Sequence, residues 1–303
     1  MRVLNYGSLN VDYTYNVPHI IQGGETILSR GLTLFAGGKG LNQSVALSRA
    51  GLDVWHAGII GSDGQMLLDA LKEAGVHTDY VKKMDERGGH TIIQVDDQGQ
   101  NSIILYGGTN QKQTKAYVDQ VLSHFDAGDY LLLQNEVNLL DYIIDRASEK
   151  GLRIVLNPSP YNEKLEACDL QKVSLFLLNE IEAGQIQRGL GGDSELGTLD
   201  PEEALDTLHQ AYPKASFVLT LGSNGAWFYD GSEKVFQEIF PVHAVDTTAA
   251  GDTFTGFFVE EIASGKDVKT ALRVASKASS IAVTRKGAAP SIPTMREVRE
   301  ALG

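Results

Sequence analysis

Cysteine is nearly absent: in 303 residues only Cys168 carries a thiol, which rules out an internal disulfide framework and a thiolate-rich metal site. Long apolar runs are missing too. The longest, such as Tyr130 to Leu133 and Val173 to Leu178, fall well short of the roughly 20 apolar residues of a membrane span, so no transmembrane helix is expected. Positive charge is scarce. Against 39 aspartates and glutamates stand 26 lysines and arginines, a formal balance of −13. Nucleic-acid backbones are bound by clustered cations, so nucleic acid is not an expected partner. A single nucleotide is not excluded, because amides, a few cations and a divalent metal can hold it. The chain runs from Arg2 straight into a strand-like Val3-Leu4-Asn5-Tyr6-Gly7, without the apolar stretch and cleavage site of a secretory signal. A cytoplasmic location is the expectation, and there the formal glycosylation acceptor Asn42-Gln43-Ser44 would go unused.

What is present is ample core material, 42% hydrophobic residues, in strand-like runs that alternate with helical patterns. That alternation predicts an α/β fold with a mainly parallel sheet covered by helices. The clearest core strands are Arg2 to Gly7, Val54 to Ile60, Tyr130 to Gln134, Arg153 to Asn157, Leu175 to Leu178 and Phe217 to Leu221. Leu140, Ile143, Ile144 and Ala147 follow helical spacing, as do Val268, Ala271, Leu272 and Ala275. Two segments break the alternation, Tyr13 to Phe35 and Thr91 to Tyr106, the second folded by a turn at Asp97-Gln98-Gly99-Gln100. Together they predict a small β lid at the carboxyl edge of the sheet, where α/β proteins bind ligands. Gly189 to Asp200 reads as a mobile loop, and no internal repeat is evident.

The richest segment is Asp246-Thr247-Thr248-Ala249-Ala250-Gly251-Asp252, placed just before an apolar helix expected from near Thr253. Phe254, Phe258 and Ile262 recur every fourth residue, which predicts one buried face. The free amides and positive end of such a helix suit an anion. Ala249, Ala250 and Gly251 would let a phosphoryl group approach the backbone, with Asp252 in reach of an attacking hydroxyl. Taken alone, an Asp at a helix start is more often a cap. A second cluster, Gly37-Gly38-Lys39-Gly40-Leu41-Asn42, also opens a helix. It is not a P-loop, since Gly40 follows Lys39 where a Mg²⁺-binding hydroxyl would be needed, and no GxGxxG follows the first strand.

The blocks AGGKGLNQS at 36 to 44 and DTTAAGDTFTG at 246 to 256 resemble the two signature blocks of the ribokinase-like, or PfkB-type, carbohydrate kinases. The resemblance extends over essentially the whole chain, from Gly7-Ser8-Leu9-Asn10-Val11-Asp12 to Arg285-Lys286-Gly287-Ala288-Ala289-Pro290-Ser291. It implies one domain over 1 to 303, a three-layer fold with a central, mainly parallel sheet and lid segments near 13 to 35 and 90 to 107. It further implies that Asn10, Asp12, Gly38, Lys39, Asn42 and Glu136 bind the sugar, whose hydroxyls such a pocket can satisfy. Asp252 becomes the general base, and the amides at Ala249, Ala250 and Gly251 the anion hole. Asn179-Glu180-Ile181-Glu182 is similar to an element that organises Mg²⁺ and phosphates through water, although Asn179 also reads as an N-cap. Thr220, Gly222, Ser223 and Gly225 resemble the nucleotide loop for ATP. Asp246, Thr248, Ala282, Gly287 and Ser291 match positions around a monovalent cation, expected to be K⁺.

The activity so implied is ATP-dependent transfer of the γ-phosphoryl to the primary hydroxyl of a pentose, with GGKG-x-N-Q pointing to D-ribose. Departures at Val11-Asp12-Tyr13, at Val17 to Gln22 and at Asn135-Glu136-Val137-Asn138 leave deoxyribose, another sugar or a nucleoside open. A non-catalytic sugar sensor is the alternative of a different class, and the presence of Asp252 argues against it. The resemblance also implies a homodimer through the lid, for which Tyr13, Tyr15, Ile27 and Leu34 are candidate contacts unless they cover the lid's own underside.

Overall fold

In the computed structural model, which describes residues 2–191 and 200–303, the first strand, β1 (Val3–Tyr6), is buried at every position. A strand without a polar side needs cover on both faces. The chain continues through β2 (Asn10–Asn16), β3 (Gly31–Gly37), α1 (Lys39–Ala50), β4 (Val54–Ile60), α2 (Gln65–Glu73), β5 (His77–Lys83), β6 (Gly89–Val95) and β7 (Asn101–Tyr106). Next come α3 (Lys115–Leu122), β8 (Tyr130–Gln134), α4 (Leu140–Glu149), β9 (Arg153–Asn157), β10 (Leu175–Asn179), α5 (Glu180–Gly189) and α6 (Pro201–Ala211). The remainder is β11 (Ser216–Thr220), β12 (Ala226–Tyr229), β13 (Lys234–Gln237), α7 (Ala250–Ala263), α8 (Val268–Ala282) and α9 (Met295–Leu302).

Among the described residues the larger sheet has nine strands in the order β13-β12-β11-β10-β9-β8-β1-β4-β5. Pairing is parallel from β11 to β5, and β12 and β13 extend the edge antiparallel. Val3 packs into one hydrophobic cluster, with α1, α7 and α8, while Leu4 and Tyr6 pack into another, with α3, α4 and α6. The alternation of side chains along a strand thus gives three layers, helices over both faces of a mainly parallel sheet, as expected for the fold class. The predicted core strands agree with the observed ones to within a residue at each end, and Leu140, Ile143, Ile144 and Ala147 are all buried.

The smaller sheet has the order β3-β2-β6-β7. Asp12 lies opposite Phe35 on one side and Thr91 on the other, and the Asp96 to Gln100 turn joins β6 to β7. Asn10 to Asp12, expected to precede this excursion, belong to strand β2 itself.

Two expectations need correction. Helix α7 begins at Ala250, not near Thr253, so Asp252 lies inside its first turn. Nor is one face alone buried: every residue from Asp252 to Val259 is buried, because both α1 and α8 pack on this helix. Gly256 permits that approach, since a Cβ there would lie 2.4 Å from the Cβ of Ala46. The loop expected over Gly189 to Asp200 falls mostly outside the described residues; Gly189 itself closes α5.

Candidate active site

Two glycine-bearing junctions bring the polar residues together. At the first, Gly38 takes φ +94°, a left-handed value that favours glycine, and turns β3 into α1. Gly40 then packs on the β1 to β2 turn so closely that a Cβ would lie 2.4 Å from the amide nitrogen of Ser8. Contact between these backbones brings Gly38, at the head of the helix that carries Lys39 and Asn42, against the Asn10 backbone, and the preceding Gly37 against the Asp12 carboxylate. Glu136, after β8, joins them: its Oε2 accepts hydrogen bonds from the Ser8 hydroxyl and, at 3.0 Å, from the Lys39 amide.

At the second junction Ala249 has φ +60° and ψ +13°. A residue with a Cβ pays about 1–2 kcal/mol for that conformation, a strain of the sort that clusters at functional sites. Among the described residues no side chain caps α7. The Ala250 amide bonds to Thr247 and the Thr253 amide to Ala249, which leaves the amides of Gly251 and Asp252 among the unpaired donors of the first turn. Asp252 is therefore not a cap. Its carboxylate is buried and accepts from Asn42 Nδ2 at 3.1 Å and from Gln43 Nε2 at 2.9 Å.

Charge is concentrated here. Burial alone would lower the Lys39 ammonium, but the carboxylates of Asp252, Glu136 and Glu182 outweigh it and hold Lys39 above its ordinary value. Burial raises Glu136 in spite of the Ser8 hydroxyl and the Lys39 charge. Asp12 is pushed up to about 6 by burial, against the Thr91 hydroxyl that donates to it at 2.6 Å and with a contribution from Glu136. Asn10 is fully enclosed, and its Oδ1 accepts from Asn110 Nδ2 at 2.7 Å.

Two cavities meet over the start of α7. One, of about 240 Å³, is polar and lined by Lys39, Asn157, Asn179, Glu182, Ala249 and Asp252 among others. The other, of about 340 Å³, holds Thr220, Gly222, Ser223 and Gly225 against the apolar Ile239, Phe240, Val242 and Val283. Both are lined by Thr220, Thr247, Ala250, Gly251 and Phe254, so they share one wall. Asn179 does cap α5, in a reciprocal capping box with Glu182, while both residues also line the polar cavity.

Of the five expected cation ligands, the structure links three directly. Asp246 accepts from the Thr248 amide and hydroxyl, at 2.9 and 2.6 Å, and from the Gly287 amide at 2.9 Å. Burial works against ionisation, but these three donors hold Asp246 below the usual carboxylate range. Ser291 is buried with its hydroxyl donating to Ala288 O, and Ala282 O accepts from the Arg285 amide; neither bonds to Asp246.

The profile described as pfkB family carbohydrate kinase matches residues 2–295. The chain belongs to this family. It is similar to the ribokinase of Bacillus subtilis strain 168, at 34% identity over 98% of this chain and 97% of the relative. Among solved structures, ribokinase from Cryptococcus neoformans var. grubii serotype A in complex with ADP superposes with a TM-score of 0.87 at 35% identity, covering 99% of both chains. Arabidopsis thaliana ribokinase complexed with ribose and ATP gives 0.84 at 29% identity, over 99% of this chain and 98% of that one.

Within this pfkB carbohydrate kinase, sequence reasoning overlooked several residues that build the site. Gln43 stands inside the first signature block, but its bond to Asp252 joins residues 209 positions apart. Thr91 and Asn110 gave no local signal, because their partners Asp12 and Asn10 lie 79 and 100 residues away. The apolar wall of the larger cavity comes from the irregular segment after β13, where Ile239 and Val242 have no periodicity to betray them.

Proposed function

We propose that this chain is an ATP-dependent sugar kinase that moves the γ-phosphoryl of ATP to the primary hydroxyl of D-ribose. The observation that carries the reading is Asp252, a buried carboxylate held by two amides where a polar and an apolar cavity meet. The names of the B. subtilis relative and of the ribose- and ATP-bound Arabidopsis structure support ribose as the substrate.

In this reading the apolar cavity takes the adenine and the polar one the phosphates, with the sugar held next to Lys39 by residues that, Lys39 apart, line neither cavity. Asn10, Asp12, Gly38, Lys39, Asn42 and Glu136 contact the sugar hydroxyls, while Asn179, Thr220, Gly222, Ser223, Gly225 and Gly251 face ATP. Asp252 accepts the proton of the primary hydroxyl as that oxygen attacks the γ-phosphorus. A phosphorus–oxygen bond forms to the sugar, the bond to the bridging oxygen breaks, and ADP leaves with that electron pair. The unpaired first-turn amides at Gly251 and Asp252 and the Lys39 ammonium stabilise the charge on the transferring group; the Ala250 amide, expected to join them, is taken by Thr247 O. Small residues at 249 to 251 let the phosphoryl reach the backbone, and Lys39 and Asp252 on the wall of the polar cavity bring donor and acceptor together.

Glu182, a buried hard oxygen donor on the polar cavity, fits Mg²⁺ and would hold it through water; the ion, when bound, neutralises phosphate charge. The ionised Asp246, with oxygens of Thr248, Ala282, Gly287 and Ser291, is a hard donor set that suits K⁺, which would add positive charge beside the anion hole. The smaller sheet acts as a lid over the sugar, within one functional domain, and its exposed Leu34, Ile92 and Ile104 support pairing with a second copy. Sugar and ATP in the cytoplasm, with neither nucleic acid nor membrane, complete the reading.

The test is ADP release from Mg·ATP in K⁺ buffer with ribose, deoxyribose, fructose and nucleosides. Preference for ribose is expected. A different preferred substrate would overturn ribose and leave the kinase chemistry standing; ATP binding without turnover on any of them would favour a sensor.

A further inference from the structure

We propose that Gln43 is a positioning residue that fixes the carboxylate plane of Asp252, an inference that rests on the reading of Asp252 as the base. Gln43 is fully buried in α1, and its two amide hydrogens are both committed: Nε2 donates to Asp252 Oδ1 at 2.9 Å and to Asn157 Oδ1 at 3.0 Å. Its oxygen is committed too. Oε1 accepts from Gln134 Nε2 at 2.5 Å, and Gln134 Nε2 spends its second hydrogen on Asn5 Oδ1 at 3.0 Å. Asn5 Nδ2 in turn donates to Gly40 O and to Ser44 Oγ, at 2.7 and 2.8 Å, and Asn157 Nδ2 donates to Leu177 O at 2.9 Å.

The direction of the bonds to Gln43 is fixed from outside, by Gly40 O through Asn5 and by Leu177 O through Asn157, even though Gln134 Oε1 has no partner among the described residues. An amide has two donor hydrogens on one end and an acceptor on the other. Turning Gln43 over would set its oxygen against the Asp252 and Asn157 oxygens, and its nitrogen against the Gln134 nitrogen, so three bonds would become three repulsive contacts. The chain ends at His56, whose Nδ1 lies 2.8 Å from Ser44 Oγ; burial pushes this imidazole down to about 4 against the Gly7 carbonyl, so it is neutral and accepts the Ser44 hydrogen at neutral pH.

Asn42 differs in this respect. Its Nδ2 donates to Asp252, but its Oδ1 has no hydrogen-bond partner among the described residues, so Asp252 alone sets that amide, which follows the carboxylate instead of fixing it. Orientation of the carboxylate therefore comes from Gln43, and through it from β1, β8 and β9, the central strands of the larger sheet. A base anchored to the buried central strands keeps its angle to the attacking hydroxyl, and misplacement by about 1 Å can cost roughly a hundredfold in rate.

The experiment compares Gln43→Met, Gln43→Glu and Asp252→Asn by steady-state kinetics on sugar and ATP, with thermal melting of each. Gln43→Met keeps length and volume and removes the donor; kcat should fall by roughly tenfold to a hundredfold, with KM for both substrates within about twofold. Gln43→Glu can still donate while its new carboxyl is protonated, and repels Asp252 once ionised. The charges already acting on Asp252, Lys39 on α1 and Glu136 after β8, and Glu182 of α5 on the same polar cavity, are the same in both proteins. Activity should therefore decline with rising pH along a limb that the parent lacks. Activity of Gln43→Met within threefold of the parent, or a Gln43→Glu pH profile parallel to the parent's, would overturn the proposal. If Gln43→Met fails to fold, the Gln43→Glu profile decides. Retention of turnover by Asp252→Asn would bring down the base assignment itself, and the inference with it.

Discussion

Replacing Asp252 by Asn keeps the shape of the side chain, removes its charge and turns one acceptor into a donor. Two separate consequences can be worked out. For chemistry, loss of a general base costs about 10²- to 10⁴-fold in kcat, or about 3–5 kcal/mol in the barrier. For stability, the new NH₂ group must face either Asn42 or Gln43, both of which now donate to this side chain. Gln43 cannot rotate, because Gln134 and Asn157 hold its other bonds. Asn42 can, because its Oδ1 has no partner to lose among the described residues. Rotation of Asn42 turns the donor clash into a hydrogen bond, so the variant should lose less than about 1 kcal/mol, below the usual cost of an orphaned buried group. Removal of one of three carboxylates around Lys39 should leave KM for ATP unchanged or lower. A coupled ADP assay gives kcat and KM, calorimetric titration gives ATP binding, and thermal melting gives stability. A kcat within tenfold of the parent would refute Asp252 as the base. A loss of stability beyond about 2 kcal/mol would instead refute the freedom assigned to Asn42.

Turnover should be higher in K⁺ than in Na⁺ at equal ionic strength, and equal rates would remove the cation from the proposed site at Asp246. Gly256→Ala places a Cβ 2.4 Å from Ala46 Cβ and 2.7 Å from the Leu47 amide nitrogen; forcing α1 and α7 apart should cost about 1–3 kcal/mol, and an unchanged or higher Tm would contradict that packing. Burial raises Asp12 from 3.8 to about 6, so the stability contributed by its proton is complete below 3.8 and is lost as pH rises through 6. Asp12→Asn should therefore raise Tm relative to the parent at pH 8 and have little such effect at pH 4; a difference independent of pH would show that the folded chain bears no penalty for charging Asp12.

Much of this protein is determined by sequence alone. Apolar periodicity marks which side of each element seeks the core, as at Leu140, Ile143, Ile144 and Ala147, and β-strands buried on both faces stand out as short apolar runs. Glycines mark where backbone must turn left-handed or touch backbone, as at Gly38 and Gly40, so the first junction of the site is legible in that way, while the second shows only its small residues and turns left-handed at Ala249. Periodicity does not say what an element packs against. Only the tertiary structure decided that α7 is buried on several faces, that it starts three residues earlier than its apolar pattern suggests, and that Asp252 is gripped by Asn42 and Gln43 instead of capping its own helix. The reason is that a buried amide or carboxylate looks the same in sequence as an exposed one. Its meaning is set by hydrogen-bond partners 210 and 209 residues away along the chain, and those distances close only when the sheet has its final strand order.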